Sequence, residues 1–198
     1  MTSFDSLDNP QLLKLLLDGA VGIMPTDTVY GLVCRAADIK AVSRLYALKN
    51  RENKPGTIIA ASAEQLVELG LKARYIKAVE QFWPNPLSII IPVGSELSYL
   101  HLGKYGLACR VVAGPAELTE LITSSGPLLT SSANLPNQPE AKNLEQAQNY
   151  FGDNVDFYVD GGDTSTKLAS TVIRVIDDAV EVLREGAIKI DESGRIRP

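Results

Sequence analysis

Several short stretches of the sequence place hydroxyl, amide or cationic side chains beside apolar segments. One of them is LLTSSAN, residues 128–134, where Thr130, Ser131, Ser132 and Asn134 follow an apolar run. A strand in a dry core does not end in four hydrogen-bonding side chains unless those groups have partners. The stretch therefore raises the question of what these side chains bind.

A second stretch, PTDTVYG at residues 25–31, follows the predicted strand AVGIMP. Thr26 and Thr28 are suited to hydrogen-bonding the backbone of a turn, as serine and threonine often do. The alternative is that a hydroxyl points into a pocket beyond the end of the strand.

The third stretch, KNRENKPG at residues 49–56, carries three cations at the end of a predicted helix. Lys49, Arg51 and Lys54 would complement the negative end of the helix dipole. They would equally form a clamp for phosphate or carboxylate, because arginine offers a planar fork of donors and lysine a compact charge.

The fourth group of signals lies on predicted strands. Arg110 is surrounded by apolar residues in GLACRVV, and a strand arginine either faces solvent or is buried with a partner such as a ligand carboxylate. Ser170 and Thr171 enter the strand of LASTVIRV, and Arg184 lies in VLREG. Each of these residues would be ordinary by itself.

Several kinds of site are not supported by the sequence. It contains neither GxxxxGK[ST] nor GxGxxG. The single histidine, His101, is beside no nucleophile, and with Cys34 and Cys109 it makes no metal-ligand pattern. A net charge of -5 argues against a broad basic face that grips a phosphate backbone. The remaining hydroxyls, amide and cations suit a site that binds anions and holds them in line.

The elements that must position these residues intermingle helix and strand. Asp8-Asn9-Pro10 is a helix-start signal, and apolar residues recur at helical spacing over residues 38–49. Residues 170–186 predict a hairpin that turns at Asp177-Asp178. We expect an α/β fold with a twisted, mixed β-sheet flanked by helices, and ligands at the strand ends.

The chain length of 198 residues suits a single domain, 1–198, with a core over about 8–188 and a short C-terminal tail, 189–198. No apolar run approaches the roughly 18 residues of a membrane helix, and the start of the chain lacks the features of a secretory signal. We therefore expect a cytoplasmic protein, no membrane partner, and two reduced thiols, with a lone disulfide as the alternative.

Together the stretches PTDTVYGL, KNR, SAN, STV and REG resemble the YrdC/TsaC family, in order and in approximate spacing. Members of that family are L-threonylcarbamoyladenylate synthases. The resemblance covers about residues 8–188 and implies the family's α/β twist, of the type that binds double-stranded RNA, with a concave, positively charged cleft. The chain is similar to the short, single-domain type.

The activity that the resemblance implies joins L-threonine, bicarbonate or CO2, and ATP, which Mg²⁺ would accompany. The products are threonylcarbamoyl-AMP and pyrophosphate. A threonylcarbamoyl-transferase complex then modifies the adenosine beside the anticodon of tRNA. The amine of threonine would first take up CO2 as a carbamate, whose oxygen attacks the α-phosphorus in line without a protein nucleophile.

The resemblance also implies roles for individual residues. Those on L-threonine are Thr28, Arg110, Thr130 and Ser170. Those on ATP are Lys49, Arg51, Ser132, Asn134 and Arg184. Lys49 and Arg51 would also stabilise the charge that develops on pyrophosphate, and no protein ligand for a metal is implied. Ser131 alternates to the opposite face of the strand and is expected to lie outside the site.

Two alternatives stay open. Many family members carry a histidine just after the strand that follows Lys-x-Arg, whereas this segment reads IIAAS, so a paralogue that adenylates another carbamate is one alternative. The other is a non-catalytic RNA-binding module of the same fold that acts in tRNA or ribosome maturation. The loop after Ser-x-Asn also departs from the usual Ser-Gly, because it reads Pro136-Asn137-Gln138-Pro139.

Overall fold

The structure is a computed structural model that describes residues 2–50, 54–176, 179–191 and 194–197. Its helices are α1 Pro10–Leu17, α2 Ile39–Leu48, α3 Ala63–Glu68, α4 Ala73–Val79, α5 Ser98–His101, α6 Ala116–Ser125 and α7 Leu144–Phe151. Its strands are β1 Thr2–Phe4, β2 Gly22–Pro25, β3 Tyr30–Arg35, β4 Thr57–Ala60, β5 Leu87–Pro92, β6 Gly106–Val111, β7 Leu128–Ser132, β8 Phe157–Val159, β9 Thr171–Ile176, β10 Ala179–Arg184, β11 Lys189–Ile190 and β12 Ile196–Arg197.

Ten of these strands form one sheet, in the order β1-β8-β2-β3-β7-β4-β6-β5-β9-β10. The sheet contains parallel pairs, such as β4 with β6, and antiparallel pairs, such as β3 with β7. The sheet is therefore mixed, and the predicted α/β fold class is confirmed.

Helices cover both faces of the sheet, as the prediction of a flanked sheet requires. On one face α1 and α6 contribute Leu12, Leu16, Leu118 and Ile122 to a buried cluster. On the other face a larger cluster receives residues from α2, α4, α5 and α7. Because both faces are covered, the strand ends and their connections are left to form a ligand site.

Local sequence explains where α1 begins and ends. The side chain of Asn9 accepts a hydrogen bond from the amide of Gln11, and Pro10 is the first helical residue. Leu12 and Leu16, four residues apart, are both buried. Gly19 then adopts a left-handed φ of 87°, which an L side chain rarely tolerates, so the helix ends there. The predicted helix start is confirmed.

Helix α2 leads directly to one of the predicted site residues. The side chain of Asp38 caps it by accepting from the amides of Lys40 and Ala41. Buried Ala41, Val42 and Leu45 hold it against the sheet, as the helical spacing predicted. It ends at Leu48, so that Lys49 follows as a buried residue at its C-terminus.

Two strands of the ten-stranded sheet were not predicted. β1 pairs in parallel with β8, so the sheet begins before residue 8 and the predicted core of 8–188 is too narrow at its start. β3 lies between β2 and β7 near the middle of the sheet. PTDTVYG is therefore the connection of an antiparallel hairpin rather than the loop after a lone strand.

The C-terminal region contains two hairpins. β9 and β10 pair antiparallel, as predicted, while the predicted turn at Asp177-Asp178 lies outside the described residues. β11 and β12 form a separate two-stranded sheet within the predicted tail. Ile190 and Ile196 of this small sheet pack against the larger core cluster.

Within the described part of the chain, no helix has both the length and the apolar character needed to cross a membrane. The same residues contain no group of three or more His, Cys, Asp or Glu side chains arranged to hold a metal ion.

Candidate active site

A cavity of about 430 Å³ opens beside the ends of β2, β3, β4, β7 and β9. Most of the residues that the sequence placed at a site line this cavity. They are Thr28, Arg110, Thr130, Ser132, Ser170 and Arg184. Lys49 and Asn134 are not among the residues that line the cavity. Arg51 lies outside the described residues. The stretches singled out in the sequence are therefore brought together at one place.

The connection between β2 and β3 presents Thr28 to the cavity. Thr26 Oγ1 donates to the carbonyl of Val29 at 2.8 Å and accepts from the amide of Thr28 at 3.2 Å. Thr26 thus closes the turn, which is the structural role that threonine in such a stretch often has. Thr28 Oγ1 lies 3.3 Å from Nη2 of Arg110, so this hydroxyl belongs to the site.

Gly31 allows β3 to approach β7 at the cavity wall. Gly31 pairs with Ser132 across the two strands. A Cβ atom at Gly31 would lie 2.4 Å from Oγ1 of Thr130, which is closer than non-bonded atoms tolerate. The glycine of PTDTVYG therefore leaves the space that the Thr130 side chain occupies.

Arg110 is buried, and its partner is a residue that the sequence did not reveal. Its Nε donates to Oδ2 of Asp27 at 2.9 Å, and its Nη2 donates to Oδ1 of Asp27 at 2.5 Å. The two side chains are only 3% and 4% exposed. The expectation of a buried, partnered arginine is correct. Asp27 occupies the side-on fork of the guanidinium, and the contact of Arg110 with a ligand carboxylate stays a prediction.

Two serines continue the network from Arg110. Nη1 of Arg110 lies 3.5 Å from Oγ of Ser88, and Ser88 Oγ lies 3.0 Å from Oγ of Ser170. Arg184 then donates from Nη2 to Ser170, at 2.8 Å to the carbonyl and 3.1 Å to the hydroxyl. Ser88 was not predicted. The network joins Arg110 and Arg184, two of the three predicted arginines, through hydroxyl groups.

The electrostatics of the cavity are cationic at its wall. Arg110, Arg184 and Lys54 contribute positive side chains, and Glu140 is the one carboxylate that lines the cavity among the described residues. Partial burial lowers the pKa of Arg184, Glu140 opposes that shift, and Arg110 adds to it. Arginine remains protonated under such shifts. The cavity therefore suits an anionic ligand.

The Ser-x-Asn loop is held from behind by Lys49. Lys49 Nζ donates to the carbonyl of Ser132 and to Oδ1 of Asn134, each at 2.9 Å, and also contacts the carbonyl of Asn134. Lys49 is 4% exposed. Its ammonium is thus directed into the loop, while its predicted contact with ATP stays a prediction.

Ser132 and Asn134 hydrogen-bond to each other. Ser132 Oγ donates to Oδ1 of Asn134 at 2.7 Å, and Asn134 Nδ2 donates to the carbonyl of Gln138 at 2.6 Å. The amide therefore folds the loop of residues 135–139 back onto β7. Of this pair, only Ser132 reaches the cavity wall.

Ser131 differs from what strand alternation suggested. It contributes to the cavity wall. Its hydroxyl oxygen is nevertheless buried and has no hydrogen-bond partner among the described residues. The hydroxyl is therefore not an obvious ligand contact, although the residue is part of the wall.

The residues that sequence reasoning missed had weak local signals. Asp27 stands between two threonines in PTDTVYG, and a carboxylate there could have been matched to a strand arginine of opposite charge. However, 83 positions separate Asp27 from Arg110. Ser88 lies inside the apolar LSIIIPV, where only its burial in the fold shows its contacts. Glu140 directly follows the loop, residues 136–139, that departs from the family pattern.

The fold and the cavity define an α/β protein with a cationic site lined by hydroxyl groups. Such a site suits the binding of a small anionic substrate and does not rely on a nucleophilic side chain. A family model for Sua5/YciO/YrdC proteins, described as "Telomere recombination", matches residues 14–186. The chain belongs to this family.

Three relatives are informative. The threonylcarbamoyl-AMP synthase of Halorhodospira halophila is 33% identical over 150 residues, which cover 74% of this chain and 78% of the relative. That of Bacillus subtilis is 31% identical over 191 residues, 92% of this chain and 55% of the relative. The crystal structure of Pyrococcus abyssi Sua5 complexed with L-threonine has a TM-score of 0.82 and 28% identity, covering 95% of this chain and 58% of that chain. The chain thus spans little more than half the length of two of these relatives.

Proposed function

We propose that this chain is an L-threonylcarbamoyladenylate synthase, a nucleotidyltransferase that uses L-threonine, bicarbonate or CO2, and ATP. The observation that carries the proposal is the continuous network from Asp27 through Arg110, Ser88 and Ser170 to Arg184 along one cavity. Relatives named threonylcarbamoyl-AMP synthase, and a Sua5 structure with L-threonine, support it.

The amino-acid half of the site is built from hydroxyls around Arg110. Thr28, Thr130 and Ser170 line the cavity together with this arginine. Hydroxyl partners suit the hydroxyl of threonine, because a site that hydrogen-bonds a substrate OH rejects an analogue without it by about 10⁴-fold or more. Selection of threonine over valine would therefore depend on these residues.

The nucleotide half would lie toward Ser132 and Arg184. Arg184 and Lys54 supply positive charge at the cavity wall for the phosphates. Asn134 and Lys49 would act by holding the Ser-x-Asn loop in place rather than by direct contact. Arg51 remains a proposed phosphate contact in the same stretch as Lys54.

The chemistry needs positioning and charge stabilisation more than a reactive side chain. The amine of threonine adds to CO2 and loses a proton to give a carbamate. A carbamate oxygen then attacks the α-phosphorus of ATP, and the bond from that phosphorus to the bridging oxygen of pyrophosphate breaks. Arg184 and its neighbouring cations would stabilise the departing negative charge. Burial raises the pKa of Cys34 and Cys109, which keeps both thiols protonated and unsuited to nucleophilic attack.

A Mg²⁺ ion would enter with the triphosphate. Mg²⁺ is commonly held by substrate phosphates and one or two carboxylates, and Glu140 is the carboxylate on the described cavity wall. Bound to ATP, the ion would supply further neutralisation of the leaving pyrophosphate.

In this proposal the chain acts as a single domain, and its product passes to a threonylcarbamoyl-transferase complex that modifies tRNA beside the anticodon. The adenylate is a mixed anhydride of a carbamic acid and AMP, so it requires a nucleophilic acceptor such as the amine of adenosine.

Pyrophosphate release from ATP is the direct test. L-threonine and bicarbonate are left out in turn, and L-valine and L-serine replace threonine in parallel reactions. We expect release only when threonine and bicarbonate are both present. Release that ignores threonine would favour a paralogue for another carbamate. No release, together with salt-sensitive tRNA binding, would favour an RNA-binding module.

A further inference from the structure

The pairing between Asp27 and Arg110 limits how Arg110 can hold a substrate. Both oxygens of Asp27 accept from the edge of the guanidinium formed by Nε and Nη2. This edge is one of the two forks with which an arginine holds a carboxylate in bidentate fashion. A substrate carboxylate cannot occupy the same fork while Asp27 is in place.

The part of the guanidinium that remains available faces two serines. Nη1 lies 3.5 Å from Oγ of Ser88, a distance at which the contact is weak. Ser88 Oγ is 3.0 Å from Ser170 Oγ, and Ser170 lies on the cavity wall beside Arg110. An N–H of the guanidinium and a serine hydroxyl therefore converge at one side of the cavity.

The pair also limits the charge that Arg110 presents. Asp27 and Arg110 are buried together, with side chains 4% and 3% exposed. In such surroundings the carboxylate offsets the arginine at short range. Without it, the complete guanidinium would present an unpaired charge to any anion, including a phosphate of ATP.

We propose that Asp27 is a positioning residue that fixes Arg110 side-on, so that the carboxylate of L-threonine is received by Nη1 with the hydroxyl of Ser170. Ser88 would hold these two groups in register from behind. This inference rests on the proposed function. In addition, Asp27 would make the amino-acid half of the site bind a carboxylate in one orientation and would weaken its binding of the triphosphate.

The neighbouring contacts agree with a positioning role. Nη2 of Arg110, already directed to Asp27, also lies 3.3 Å from Thr28 Oγ1. Residues of the β2–β3 connection thus fix one edge of the Arg110 guanidinium. Ser88, on β5, approaches its other edge. Two separate elements define where its remaining donors point.

The test compares Asp27→Asn with Asp156→Asn. Asp156 also binds an arginine, since it accepts a hydrogen bond from Arg44 Nη1 at 2.5 Å. Its other partner is the amide of Val21, and neither Arg44 nor Val21 lines the cavity. Calorimetry would measure binding of L-threonine and of L-threoninamide, each with a non-hydrolysable ATP analogue present, and binding of the analogue alone.

For Asp27→Asn we expect L-threonine to bind about tenfold or more weakly, and the preference for L-threonine over L-threoninamide to shrink by a similar factor. The analogue alone should bind as tightly as to the wild type, or more tightly. Asp156→Asn should leave all three measurements unchanged. Asp27→Glu, which retains the charge, should recover part of the preference.

Unchanged threonine binding and unchanged preference in Asp27→Asn would overturn the inference. If thermal melts show that Asp27→Asn does not fold, Ser88→Ala replaces it, because this variant leaves the Asp27 fork intact. Ser88→Ala should weaken threonine binding without affecting the analogue, and equal binding would again overturn the inference. A wild-type protein that binds no L-threonine would instead overturn the proposed function.

Discussion

The ammonium nitrogen of Lys49 lies 2.9 Å from Oδ1 of Asn134, and the same Oδ1 accepts from the hydroxyl of Ser132 at 2.7 Å. Hydrogen bonds therefore connect the lysine at the end of α2 to the loop that follows β7. A residue predicted to bind phosphate thus supports a loop that borders the cavity.

Lys49→Met should test this support. The substitution keeps a long side chain but leaves the carbonyl of Ser132 and the oxygens of Asn134 without their charged donor. We expect the free energy of unfolding to fall by about 1–3 kcal/mol and the KM for ATP to rise, since the loop loses its position. Urea unfolding and pyrophosphate release measure the two effects.

Lys40→Met is the matched control, because Lys40 is exposed on the same helix. It should change neither measurement. If Lys49→Met were as stable as Lys40→Met while ATP binding alone collapsed, Lys49 would be a direct ligand rather than a support.

Adjacent serines on β7 allow a second comparison. Ser132 donates to Asn134, whereas Ser131 Oγ is buried without a partner among the described residues. Removing an unsatisfied buried hydroxyl relieves a desolvation cost of roughly 1–3 kcal/mol, so Ser131→Ala should leave stability unchanged or raise it. Ser132→Ala should raise the KM for ATP several-fold. Thermal melts and kinetics of the two variants would check this, and a larger kinetic defect in Ser131→Ala would show that its hydroxyl contacts substrate.

The features of the fold that the sequence revealed are those determined locally. Asn9 and Pro10 predict the start of α1, and the spacing of Ala41, Val42 and Leu45 predicts α2. Both signals are local, because caps and helical periodicity involve residues a few positions apart. β3 escaped prediction because YGLVCR is almost entirely buried, and a central strand lacks the alternation that marks a half-exposed one.

The candidate site shows the same division. Thr28, Thr130 and Ser170 could be named because each lies in a short motif with a family counterpart. The partners of Arg110 could not, since Asp27 and Ser88 approach it only when β2, β5 and β6 occupy their places in the sheet. Even the role of Lys49 depends on a contact across more than eighty positions of the chain, which no local pattern records.

Alkaline pH should destabilise the protein through its buried thiols. Burial raises the pKa of Cys34 and Cys109 above the ordinary value of 9.0, so both stay protonated in the folded state while the unfolded chain releases their protons. The stabilisation is complete below about pH 9 and is lost as pH rises, by up to about 1.4 kcal/mol per pH unit for each thiol. Urea unfolding at about pH 8 and about pH 10 measures the slope.

The double variant Cys34→Ala/Cys109→Ala isolates the contribution of the thiols. Its free energy of unfolding should fall less steeply over this interval. A residual slope is expected from the tyrosines, since burial also raises the pKa of Tyr30 and of the partly buried Tyr99, and that of Tyr158 to about 12. Identical slopes for wild type and variant would mean that the thiols do not titrate differently on folding.

In the proposed active site Arg184 joins the amino-acid half and the nucleotide half, so its loss should affect both substrates. It donates to the carbonyl and the hydroxyl of Ser170 and lies on the cavity wall with Ser132. A charge-assisted hydrogen bond is worth about 1.5–3 kcal/mol, so Arg184→Gln should lower kcat/KM by roughly tenfold to a hundredfold. Initial rates of pyrophosphate release, with threonine and ATP varied in turn, give this value.

Arg184→Lys separates charge from geometry, because lysine keeps the positive charge but cannot reproduce the planar donors that reach Ser170. Compared with Arg184→Gln, it should restore kcat/KM for ATP more fully than kcat/KM for threonine. Arg174→Gln is the control, since Arg174 lies on the neighbouring strand β9 and pairs with exposed Glu181 outside the cavity. Equal defects in Arg174→Gln and Arg184→Gln would indicate general disruption of the β9–β10 hairpin and remove Arg184 from the site.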